Sequence, residues 1–197
     1  MIVVGILGAS GGTVFEIARR AAATGARTEV VGAAPIETAG DRLLLQLAAA
    51  SVGHATVTRS NSAISDAAAG SAGVAAPGAG QAAIEPADLE LALRYLPDVR
   101  AIVLVQPPAA LLATAAAAAG FAGATLIVIG PVDAATLDTL GAPAPIVLNP
   151  PAHDPDGAFA GVVATLASRL DAGADPAAAW AATLNTLAVD PVAPPAR

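Results

Sequence analysis

The sequence predicts an α/β fold, a three-layer α/β/α sandwich around a mostly parallel sheet of about six strands. Three observations carry this reading. Short β-rich apolar runs alternate with longer segments of helical spacing along most of the chain. The strongest runs, Met1 to Leu7, Ala101 to Val105 and Ala124 to Ile129, are almost unbroken apolar stretches, as expected of strands covered on both faces. A chain of 197 residues is long enough to bury one good core, so residues 1–197 read as a single domain.

Met1 to Leu7 is the first buried strand, followed by a glycine turn and a helix from Val14 to Thr24. Arg27 to Val31 is the second strand. Ala39 to Ser51 is the second helix, with Leu43, Leu44 and Leu47 at helical spacing. His54 to Arg59 alternates Ala55 and Val57 with Thr56 and Thr58, which marks a third, partly exposed strand. From residue 60 to about 84 Ser, Ala and Gly dominate, and the segment cannot offset its own ordering entropy; a flexible low-complexity loop is expected.

Regularity returns at Glu85-Pro86, where proline at a first helical position opens a helix through Tyr95. The strand Ala101–Val105, an alanine-rich helix 109–119 and the strand Ala124–Ile129 follow. A short helix from Asp133 to Leu140 and a strand from Pro145 to Leu148 precede two closing helices. Both closing helices start with Asp-Pro, at Asp154-Pro155 and Asp175-Pro176, each a cap followed by proline at the first helical position. Trp180, four residues from both Pro176 and Leu184, is expected to pack the last helix onto the sheet.

Composition excludes several functions. Net charge is −7 and all nine basic residues are arginines, scattered except for Arg19-Arg20, so no nucleic-acid footprint is present and aromatics at 3% offer few stacking platforms. No apolar run reaches the ~18 residues of a membrane span, and the chain starts on a strand-like Ile2-Val3-Val4 without a basic leader, which implies a cytoplasmic protein. Without cysteine there is no disulfide or thiolate chemistry. With His54 and His153 the only histidines, a metal site would have to be built from carboxylates, and none is read.

The segment Asp154 to Gly161, Asp-Pro-Asp-Gly-Ala-Phe-Ala-Gly, resembles the active-site stretch Gly-Ala-Gly-Asp-Ala-Phe of the PfkB/ribokinase family of carbohydrate kinases. Gly11-Gly12 before a helix carrying Ala18 looks like the family's sugar-binding Gly-Gly pair. The series Gly25-Ala26-Arg27, Val30-Val31-Gly32, Gly40-Asp41-Arg42-Leu43-Leu44 and Val52-Gly53-His54 is similar to its helix, strand and second-helix signature in order and spacing. The resemblance implies a ribokinase-like fold and a sugar or polyol ligand. It also implies site positions at Gly11, Gly12, Thr13, Glu16 and Glu37, the last two standing where the family has a sugar-contacting asparagine and a later acidic residue.

Departures from the family pattern bear on activity. Leu7-Gly8-Ala9-Ser10 joins the first strand directly to Gly11-Gly12, leaving no room for the lid strands that often build the family's dimer. Gly157 stands in the place of the catalytic aspartate, with Asp154 and Asp156 in the places of the glycines and Pro155 between them. Phosphate binds a helix N-terminus through free N–H groups and the positive dipole end. A proline removes one donor there, and two carboxylates compete for the rest. Two readings of Asp-Pro-Asp stand: a plain helix cap with no catalytic residue, or Asp156 serving as base one position early. The expectation is an inactive kinase relative that binds a small ligand or associates with a protein, needing no cofactor; a residually active kinase would use ATP with magnesium. A homodimer would need a surface other than the lid, such as a sheet edge or helix 109–119.

A second resemblance concerns Gly8-Ala9-Ser10-Gly11-Gly12-Thr13, which looks like the phosphate turn of NAD(P)-binding atypical short-chain reductases. It would assign Gly8, Ser10 and Gly11 to NADP. Against it, Val14 replaces a further glycine, and the second strand ends in Val31-Gly32-Ala33-Ala34 with no ribose-binding acid or phosphate-binding arginine nearby. Tyr95 also lacks a lysine four residues on.

Overall fold

Ile2–Ile6 (β1), Glu29–Pro35 (β2), Gly53–Ser60 (β3), Ala101–Val105 (β4), Thr125–Ile129 (β5) and Ile146–Leu148 (β6) form one sheet in the order β3-β2-β1-β4-β5-β6. Every neighbouring pair is parallel. The computed structural model describes residues 1–8, 11–60, 84–96, 98–141, 143–152, 154 and 156–188. The loop expected from 60 to about 84, and the readings placed on Ser10, His153 and Pro155, lie outside the described residues beyond Ser60 and Ile84.

The strands alternate strictly between two cores, as a period of two requires. Val3, Val103, Ile127 and Ile129 face Gly12–Ala23 (α1), Thr38–Ala49 (α2) and Ala158–Asp171 (α6). Ile2, Val4, Ile102, Leu104, Leu126 and Val128 face Pro86–Tyr95 (α3) and Ala109–Ala122 (α4). The helix Ala134–Leu140 (α5) sends Leu140 against this second core. The result is the α/β/α sandwich, a six-stranded parallel sheet flanked by helices on both faces.

Three local features depart from the sequence reading. β2 runs on to Pro35, because Gly32 and its small neighbours are buried strand and not turn: a Cβ at Gly32 would overlap the Gly5 carbonyl oxygen of β1. The helix after Asp154 begins only at Ala158, because Gly157 adopts φ +64° and interrupts helical geometry before it. Trp180 is 36% exposed; the helix Pro176–Ala188 (α7) instead buries Ala179 and Thr183 and packs on α6. Asp175 does cap α7 as expected, accepting from the N–H groups of Ala177 and Ala178 at 3.0 and 3.1 Å.

Candidate functional site

Strand order reverses between β1 and β4, and in open parallel sheets the crevice beyond the carboxyl ends of such strands is where ligands bind. The segments that leave the sheet there carry most of the residues singled out from the sequence.

Gly8 to Thr13 leaves β1. The Gly11 N–H donates to the Gly8 carbonyl at 2.9 Å, and Gly11 and Gly12 have φ of +96° and +65° at this turn into α1. A side chain at Gly11 would meet the Phe15 ring at 2.9 Å, so this turn is committed to glycine by both conformation and space. Val14, the residue that departs from the reductase pattern, is buried, and its methyl occupies the space that a Cβ on Gly5 would need. Among the described residues no side chain caps α1, so none satisfies its first N–H groups, and Thr13 beside them is partly exposed.

Glu16 lies one turn further along α1 and is already paired. Its Oε2 accepts from Arg19 Nη2 at 2.8 Å and from Arg20 Nε at 3.3 Å. The hydrogen bond and charge of Arg19, aided by Arg20 and opposed by partial burial, hold its carboxyl below the usual glutamate value. Glu37 follows β2 at the cap position of α2, exposed, with its side chain making no capping bond. Arg59 of β3 pins this turn by donating to the Ile36 carbonyl at 2.8 Å and to Asp41 at 2.6 Å. No hydrogen bond joins Glu16 to Glu37 among the described residues.

Hydrogen bonds of Asp154 and Asp156 define the approach to α6. Asp154 accepts the Ala158 N–H through Oδ1 at 2.8 Å and the Phe159 N–H through Oδ2 at 3.1 Å. Both carboxylate oxygens therefore occupy the N-terminus of α6, although Asp154 sits three residues before the cap position held by Gly157. Asp156 is exposed, and its backbone carbonyl accepts from Arg20 Nη2 at 3.1 Å. The same guanidinium lies where a Cβ on Gly157 would come within 3.0 Å.

Gln106 lies at the same end of the sheet and is a candidate that sequence reasoning missed. It directly follows β4 with φ +48°, a left-handed conformation uncommon outside glycine, and its N–H donates to the Ile129 carbonyl at 2.8 Å. Its side chain packs over Gly130. A polar residue caught between a buried strand and Pro107-Pro108 was the available signal. Among the described residues no three histidine or acidic side chains are grouped to hold a metal ion, and no helix is long and apolar enough to cross a membrane.

No protein-family model and no curated protein matches this sequence. Solved structures do. Aminoimidazole riboside kinase from Salmonella enterica superposes with a TM-score of 0.58 at 13% identity, over 93% of this chain and 90% of that one. A PfkB protein from a Polaromonas species gives 0.56 at 14% identity, over 92% of each chain. Phosphofructokinase-2 from Escherichia coli gives 0.53 at 16% identity, over 89% of this chain and 82% of that one.

The structural neighbours across most of this chain are thus PfkB/ribokinase-family carbohydrate kinases at low sequence identity. The chain is a relative of these sugar kinases in fold.

Proposed function

We propose that this protein keeps the carbohydrate-kinase scaffold as a binder of a small polyol or sugar and does not transfer phosphate. The observation that carries the reading is Asp154, whose carboxylate takes up the two N–H groups at the start of α6. Kinases of the family it resembles offer such groups to phosphate. Here a phosphate would have to displace a cap of about 0.5–2 kcal/mol. It would also meet like charge costing about 1–4 kcal/mol per charge pair at 4 Å. Gly157 supplies no base where the family has its aspartate, and Asp156 turns its carbonyl to Arg20. The polyol would lie against Gly11, Gly12, Thr13 and Gln106, with Glu37 at the margin. A thermal-shift screen of sugars and polyols against MgATP tests this. Stabilisation by a polyol that MgATP neither reproduces nor consumes supports it; turnover of ATP abolished by Asp156→Asn contradicts it.

A second reading has one specific observation in its favour. Because β2 extends to Pro35, Glu37 stands just beyond the strand's carboxyl end, the place where dinucleotide-binding sheets of this strand order hold a ribose hydroxyl. On that reading NAD would be preferred to NADP, since a carboxylate repels a 2′-phosphate. Stabilisation by NAD that Glu37→Gln removes would establish it.

A further inference from the structure

We propose that the outer groove between α3 and α4 is a self-association surface, occupied by the same face of a second copy of this chain across a two-fold axis. The groove has a volume of about 790 Å³, and its α4 wall is built of small residues, Ala113, Ala117 and Ala118. Phe121 stands on the same wall one turn beyond Ala117 and is 97% exposed. A phenylalanine can bury about 150–250 Å² at an interface, so a ring left this bare next to a hollow roomy enough to receive it is a knob beside a hole.

Knob and hole on one face are self-complementary only under two-fold symmetry, where each copy's Phe121 enters the other's alanine-lined groove. Two of the three charged residues on the rest of the lining, Glu90 and Arg94 but not Asp98, follow the same rule. Glu90 and Arg94 lie one turn apart on α3, and neither forms an ion pair among the described residues. With the two α3 helices antiparallel across the axis, Glu90 faces Arg94 of the partner subunit and the reverse pair forms with it. A small apolar ligand is a poorer occupant, because Phe121 projects out of the groove and closes over nothing.

Helices of 10 and 14 residues offer a face only about 15–21 Å long, so the buried area falls short of the ~800 Å² per partner of a standard interface. The dimer is therefore expected in the micromolar range. Sedimentation velocity of the full chain from about 1 to about 300 μM should show monomer passing to dimer. Phe121→Glu should move the midpoint at least ~10-fold upward with the circular dichroism and melting temperature unchanged. Ala117→Arg, which fills the hole from an exposed position, should do the same if the first variant folds poorly. Glu90→Arg alone should weaken the dimer, and adding Arg94→Glu should restore it. A wild-type chain that stays monomeric throughout would leave the groove to another protein or a small molecule and overturn the proposal. So would a dimer indifferent to both Phe121→Glu and Ala117→Arg.

Discussion

Arg20 of α1 donates to the backbone carbonyl of Asp156 at 3.1 Å, which ties the helix after the Gly11-Gly12 turn to the turn that opens α6. The same guanidinium holds Glu16, and Arg19 holds Glu16 from the other side. Two positions that resemblance marks for sugar and catalysis are thereby joined through one arginine into a surface brace between helices. Glu16 is therefore engaged by two arginines of its own helix.

Glu16→Gln should lower stability near neutral pH by less than ~1 kcal/mol, since the three side chains are about one-third or more exposed and screened by water. The folded-state carboxyl titrates below the ordinary glutamate value. Its contribution is thus fully present above that value and is lost as pH falls through the lowered one. Urea midpoints of wild type and variant should differ at about pH 7 and converge only as the pH falls through the lowered carboxyl titration, below the ordinary glutamate value.

Asp154→Ala and Asp175→Ala should each cost about 0.5–2 kcal/mol, because each carboxylate accepts two otherwise orphaned N–H groups. Equilibrium urea unfolding measures the loss. Hydrogen exchange should rise at Ala158 and Phe159 only in the first variant, and at Ala177 and Ala178 only in the second.

Gly32→Ala and Gly120→Ala should act in opposite directions. At Gly32 the new methyl would overlap the Gly5 carbonyl in the middle of the sheet, so a loss of several kcal/mol or failure to fold is expected. At Gly120, within α4, nothing lies within 4 Å of the new atom and helix propensity alone changes, for a gain of about 0.5–1 kcal/mol. Thermal melts of the two variants read both signs.

Much of the fold was legible because the central strands are buried on both faces and read as apolar runs: β4 at Ala101–Val105 coincides with its sequence reading, and β5 differs by one residue. β2 was harder. Gly32-Ala33-Ala34-Pro35 has the composition of a turn, and only the close approach of Gly5, a contact distant in sequence, makes it strand. That misplacement also hid the position of Glu37 relative to the strand end. Trp180 illustrates the reverse error, since the larger side chain suggested the buried face while Ala179 and Thr183, small enough for close approach to α6, hold it.

The site was legible in part. Asp154 as a cap follows from residue type, but the donors it reaches depend on Gly157 turning left-handed at φ +64°, which permits a carboxylate three residues before the cap to fold back. Gln106 was hidden because its backbone conformation is set by the Ile129 carbonyl on the adjacent strand.

Calorimetric titration of MgATP into the wild-type chain asks most directly whether the start of α6 is closed to phosphate. With Asp154 seated on the Ala158 and Phe159 N–H groups, no saturable heat is expected up to about 1 mM nucleotide. Saturable binding tighter than about 100 μM that displaces Asp154, seen as a change in the Ala158 and Phe159 amide resonances, would contradict it.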